Sequence, residues 1–135
     1  MALHIHPVAI VVAALSMFLV GGLWYSPLLF ARAWMAANGF TDESLRDRGG
    51  AVRIFGGSFV LALVCAANLA AFLGGPETDA VWGATAGALA AVWLVAGLGI
   101  IYLFERKPLT LFVINAGYFA VSFPLMGLLL GVVPT

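Results

Sequence analysis

Four long apolar runs, separated by short polar or turn-forming stretches, organise this chain. The first opens at Pro7, where the missing N–H of proline costs nothing in the first turn of a helix. It continues to Ser26, about 20 residues or roughly 30 Å of helix, which matches one hydrocarbon thickness. Pro27 breaks the run, and LLFARAWMAAN (28–38) predicts a short helix at the membrane boundary, with Phe30, Trp34 and Met35 in the interface and Arg32 reaching the headgroups. Gly39 ends that segment. Thr41 then reads as an N-cap, with Asp42 and Glu43 in the first turn of a small aqueous helix, Arg46 and Arg48 near its end and Gly49-Gly50 as its stop.

The second apolar run extends from about Ile54 to Leu73 and closes at Gly74-Gly75-Pro76. The third starts near Ala80 behind Thr78 or Asp79 as cap and reaches Phe104, long enough to require tilt. Glu105 to Pro108 makes the turn into the fourth, which opens with Pro108 at its first helical position and runs to about Val133, with an expected kink at Pro124. The pattern predicts an all-α polytopic membrane protein. Its four transmembrane helices, at about 7–26, 54–73, 80–104 and 109–133, form an up-down bundle with a short interfacial helix in the first loop, all in one domain spanning 1–135.

Composition strengthens this reading. Of the 135 residues 64% are hydrophobic and only 9% charged, against about 25% charged in a usual soluble domain, so lipid is the expected solvent. Net charge is zero, which removes any bulk electrostatic argument for nucleic acid as a partner. The N-terminal stretch before Pro7 has no Lys or Arg and the run after it exceeds a typical signal-peptide core, so the first span is expected to be retained. Cys65 is the single cysteine, which excludes an intramolecular disulfide and fits a small buried residue.

The arrangement of charge says more than its sum. Lys and Arg are absent before the first span, number four in the first loop (Arg32, Arg46, Arg48, Arg53), vanish from the second, return as Arg106 and Lys107 in the third, and are absent after the fourth. By the positive-inside rule both termini are expected outside, and loops 27–53 and 105–108 in the cytoplasm. Trp24, Tyr25 and Trp34 then read as interface aromatics, with apolar rings and polar tips suited to the boundary between tails and water.

In lipid, helices associate through small residues and hydrogen bonds. Gly83, Gly87, Ala90 and Gly97 share one side of span 3. Span 4 has two specialised faces: Asn115, Tyr118 and Ser122 in one line, and Gly117, Ala120, Pro124, Gly127 and Gly131 roughly opposite. Two such faces predict two helix partners for span 4. The packing glycines Gly83, Gly87, Gly127 and Gly131 are expected to bring helices close, with one of the small-residue faces at a contact between copies in a homo-oligomer.

Candidate chemistry is sparse. No Asp, Glu, Lys, Arg or His falls inside the four spans, which disfavours a pathway for charged solutes. Asn68, Asn115, Tyr118 and Ser122 are the polar residues expected in the bundle interior, as interhelical hydrogen bonds or, alternatively, as the lining of a route for a small neutral solute. Glu105 and Arg32 are expected to pair at the cytoplasmic edge. His4 and His6 have an HxH spacing, but two ligands make no metal site. No metalloprotease, serine-hydrolase or P-loop motif occurs, so no catalytic residue, cofactor or metal is assigned.

The stretch GLWYSPLLF (22–30), continuing through Arg32, Trp34 and Met35, resembles the uncharacterised bacterial membrane-protein family known as domain of unknown function 1761. YLFER (102–106) and LFVINAGY (111–118), followed by Ser122, Met126 and Gly127, resemble the second half of that family's pattern. The resemblance implies a four-helix protein of the bacterial inner membrane with no established activity. Ala31 stands where the family has a glycine, and Phe119 where a histidine is frequent, so nothing catalytic carries over. The expected role is a non-enzymatic structural or interaction component in the lipid bilayer. A carrier for a small neutral or apolar solute is the alternative, and a membrane enzyme or lipid-modifying factor comes after it.

Overall fold

The computed structural model describes residues 6–46, 50–74 and 77–133. Among the described residues, four helices are long and apolar enough to cross a membrane: Pro7–Trp24, Val52–Leu73, Ala80–Glu105 and Leu109–Val132. In chain order the elements are α1 (Pro7–Trp24), α2 (Ala31–Asn38), α3 (Asp42–Arg46), α4 (Gly57–Leu73, preceded by a π-helical turn Val52–Gly56), α5 (Ala80–Glu105) and α6 (Leu109–Val132).

Local chemistry sets most of these boundaries. Pro7 opens α1, and Gly39 stops α2 in the left-handed conformation at φ 72°, where a side chain is unfavourable. Thr41 caps α3 through its Oγ1, which accepts from the Ser44 amide at 3.0 Å. The Thr78 hydroxyl donates to the Leu73 carbonyl at the end of α4, and the Asp79 carboxylate accepts from the Trp82 amide at the start of α5.

The first span is shorter than its apolar run, ending at Trp24 because Tyr25 leaves helical geometry and Ser26 begins the turn. The second starts two residues before Ile54, its first turn wound as π-helix. Pro108 is the N-cap of α6 rather than its first helical residue, extended at ψ 149°, and the helix continues through Pro124. The expected stop at Gly49, Arg48 near the end of the small helix, and the Gly75-Pro76 part of the second terminator lie outside the described residues.

Helix α6 is central, packing against α5 along one side and α1 along another, while α4 packs chiefly on α1 and touches α5 and α6 lightly. The two specialised faces of α6 therefore have two partners within the chain. On the α5 side the helices run antiparallel: a Cβ added at Gly83 would overlap the Gly127 carbonyl, one at Gly87 the Phe123 carbonyl, and one at Gly131 the Asp79 carbonyl. Only the absence of side chains lets the two backbones approach this closely, a geometry that favours van der Waals contact and Cα–H···O interactions in lipid.

This arrangement corrects the expectation that a small-residue face lies between copies. Gly83, Gly87, Gly127 and Gly131 are engaged within the chain, because the short turn after Glu105 holds the two glycine stripes opposite each other. Gly97 takes no part, since a Cβ there would meet nothing within 4 Å. Gly117 belongs to the α1 side. The core between α1, α4 and the hairpin is built of small side chains with a few larger ones, among them Ala13, Ala14, Ala66, Ala86 and Met126, all fully buried.

Candidate functional site

The polar chemistry of the molecule gathers where the end of α1, the start of α6 and the end of α5 meet. At the close of α1, Trp24 and Tyr25 are half-buried and turn their polar tips toward α6. The Trp24 Nε1–H donates to the Ile114 carbonyl at 2.8 Å. That carbonyl is reachable because Gly117, three residues further along the helix, has no side chain: a Cβ there would come within 2.8 Å of the Trp24 ring. The indole thus fills the notch that the glycine leaves.

Tyr25 extends this contact into a relay. Its hydroxyl donates to Asn115 Oδ1 at 2.6 Å, and Asn115 Nδ2 donates to the Tyr102 hydroxyl of α5 at 2.7 Å. One amide on α6 thereby ties the segment after α1 to α5, and aligned donors of this kind polarise one another. Burial, reinforced by the neighbouring Tyr118 and Tyr102 hydroxyls, pushes the Tyr25 phenol well above its ordinary value. It remains a donor at neutral pH. One turn along, the Tyr118 hydroxyl donates to the Met17 carbonyl at 3.0 Å and lies against Gly21.

Aromatic packing shields this network from the α2 side. Trp34 meets Tyr25 edge-on at 5.6 Å between centroids, Tyr25 meets Tyr118 at 5.7 Å, and Phe30 lies 4.8 Å from Trp24. The chain doubles back to permit this: the Phe30 amide donates to the Trp24 carbonyl, and α2 then runs against α6. Trp24, Tyr25 and Trp34 are half-buried, so these aromatics are packing and bonding groups at the end of a span as well as boundary residues.

The remaining expected site residues separate. Ser122 is fully buried and its hydroxyl has no hydrogen-bond partner. Asn68 is not in the interior: it is exposed on the outer side of α4, because the buried positions Ala62, Ala66, Leu69, Ala70 and Leu73 form the opposite face against α1. Arg32 and Glu105 are both exposed, and among the described residues no ion pair joins them. α2 packs along α6, and each charge is left in a solvated position, where a surface pair gains too little to fix two long side chains.

Tyr102 and the inward roles of Trp24 and Tyr25 escaped the sequence reading. The short turn was the available signal for Tyr102: it holds the end of α5 beside the start of α6, and the side chains of Tyr102 and Asn115 meet across the hairpin although the two residues are not level. No comparable signal exists for Trp24 and Tyr25, whose partners lie 90 residues away. Among the described residues no three His, Cys, Asp or Glu side chains come together as a metal site, and His4 lies outside them. Chemically the cluster is a set of neutral donors and acceptors joining three helices.

No curated protein and no solved structure matches the chain. A family model described as protein of unknown function (DUF1761) matches residues 8–131, a range that takes in every member of the aromatic and amide cluster, and the chain belongs to that family.

Proposed function

We propose that this is a non-enzymatic membrane protein acting as a structural or interaction component of the bilayer it spans. One observation carries the reading: two polar side chains of α6 are used in bonds to other parts of the chain, Asn115 to Tyr25 and Tyr102, and Tyr118 to Met17. Groups committed to protein partners stabilise packing, each worth about 0.6 to 2 kcal/mol, and are not free to replace the hydration of a passing solute. The outer faces of α4 and α5 are left for lipid or for partners.

Thiol labelling tests this. In a Cys65→Ser background, Ser122→Cys in membranes is expected to resist a membrane-impermeant thiol reagent; rapid labelling would replace packing with a water-accessible route. A carrier for a small neutral solute is the second reading, favoured by the buried Ser122 hydroxyl that lacks a partner. It requires solute-dependent uptake by proteoliposomes containing the protein, measured against empty vesicles.

The proposed setting is the bacterial inner membrane with both termini outside, supported by the six Lys and Arg residues, five in the first and third loops and Arg53 in the first turn of the second spanning helix, next to the first loop. A reporter active only in the cytoplasm, fused after Thr135, is expected to be silent. Clear activity would reverse the orientation.

A further inference from the structure

The outer face of α4 has a regular pattern. Gly57, Leu61, Val64, Asn68 and Ala71 are all exposed, and their spacing alternates four and three residues. This is the heptad seam by which two helices wind around each other, and it lies opposite the buried stripe that packs on α1. Lipid alone would cover an apolar seam without penalty. Asn68 changes that.

Of the two asparagines in the spans, Asn115 is bonded at both ends of its amide, whereas the Asn68 side chain makes no hydrogen bond among the described residues. Thr85 and Ser16, by contrast, return their hydroxyls to carbonyls of their own helices. Asn68 lies five residues before the end of α4 at Leu73, which places it about 8 Å inside that end of the span, within hydrocarbon whose half-thickness is about 15 Å. Its side chain is too short to reach water easily from there, and a bare amide in hydrocarbon is costly.

An amide carries its own complement, donor and acceptor on one group. Two copies inserted with the same topology present α4 parallel and Asn68 at the same depth, so each amide meets its counterpart. A different partner would need a matching polar group at that one height, whereas a second copy supplies it by symmetry. We propose that the protein forms a parallel homodimer through this α4 seam, with the two Asn68 amides hydrogen-bonded to each other across a two-fold axis along the membrane normal. The proposal rests on the reading of the chain as an interaction component and names its partner as a second copy of itself. Asn68 is the register-setting polar position of the seam, the role a single asparagine plays in a coiled coil.

The test uses the full chain in membranes with Cys65 changed to Ser. Cysteines placed singly at Leu61, Val64, Asn68 and Ala71 are expected to cross-link between copies under mild oxidation, while cysteines at the exposed Leu89 and Val92 of α5 do not. In vesicles, energy transfer between labelled copies should show a dissociation constant about 3- to 30-fold higher for Asn68→Val, with a smaller change for Asn68→Gln, which keeps the amide. Asn68→Val alters a side chain outside the contacts with α1, so unfolding does not confound the measurement.

Equal cross-linking on α5, an unchanged dissociation constant for Asn68→Val, or a monomer at every protein-to-lipid ratio overturns the seam. So does cross-linking of the α4 cysteines exclusively to another protein. If the seam fails while Ser122→Cys stays protected, only the dimer is lost. If Ser122→Cys is labelled while the seam cross-links, the dimer stands and the interaction reading gives way to a route for solute.

Discussion

Asn115 joins two other parts of the chain through one side chain, because its oxygen accepts from Tyr25 after α1 and its nitrogen donates to Tyr102 of α5. Asn115→Leu removes both bonds and leaves the Tyr25 and Tyr102 hydroxyls without that partner. A loss of about 1 to 3 kcal/mol is expected, read from the unfolding midpoint in mixed micelles. Tyr25 adds a pH signature. Its pKa in the folded protein is raised above the ordinary 10.0, so the unfolded chain ionises first. The stabilisation is full below about pH 10 and declines as pH rises through the folded value. Wild-type stability should therefore fall above pH 10 more steeply than that of Tyr25→Phe, and parallel pH curves for the two would show that the phenol does not contribute in this way.

The helices themselves were largely legible in the sequence. Hydropathy, the prolines at the helix starts, Gly39, Thr41 and Asp79 placed the boundaries of the four spans within two residues, because caps and breakers act locally, while α2 begins at Ala31, three residues after the expected Leu28. The two faces of α6 were also legible, since small and polar residues at helical spacing have a direct packing meaning in lipid. What each face meets was not. Lipid is as apolar as a leucine side chain, so hydropathy does not distinguish a helix side facing lipid from one facing another helix. Hydropathy therefore leaves Asn68 in the expected interior although it lies outside, and leaves one small-residue face for a contact between copies although the glycines of α5 and α6 close on each other. The corrected pairing makes a sharp contrast at the scale of the element. Gly83→Val forces α5 away from the Gly127 carbonyl and should cost at least about 2 kcal/mol. Gly97→Val, with open space around it, should stay within about 0.5 kcal/mol of wild type.

At the scale of the whole molecule, the order of the helices along the chain differs from their order in space, since α1 packs against the last helix, α6. Trp24 and Tyr25 emerge early, yet the groups they bond arrive 90 residues later. Until α6 has been synthesised and inserted, the end of α1 carries an indole N–H and a phenol O–H whose acceptors, the Ile114 carbonyl and Asn115 Oδ1, have yet to arrive. Completion of the protein is in effect proofread by its last helix: chains stopped after Pro108 should be cleared by membrane quality control several-fold faster than full-length chains in a pulse-chase, and equal half-lives would show that the early helices stand without it. A tryptophan set against a glycine thus acts as a clock, holding the first span unfinished until the ribosome has delivered the fourth.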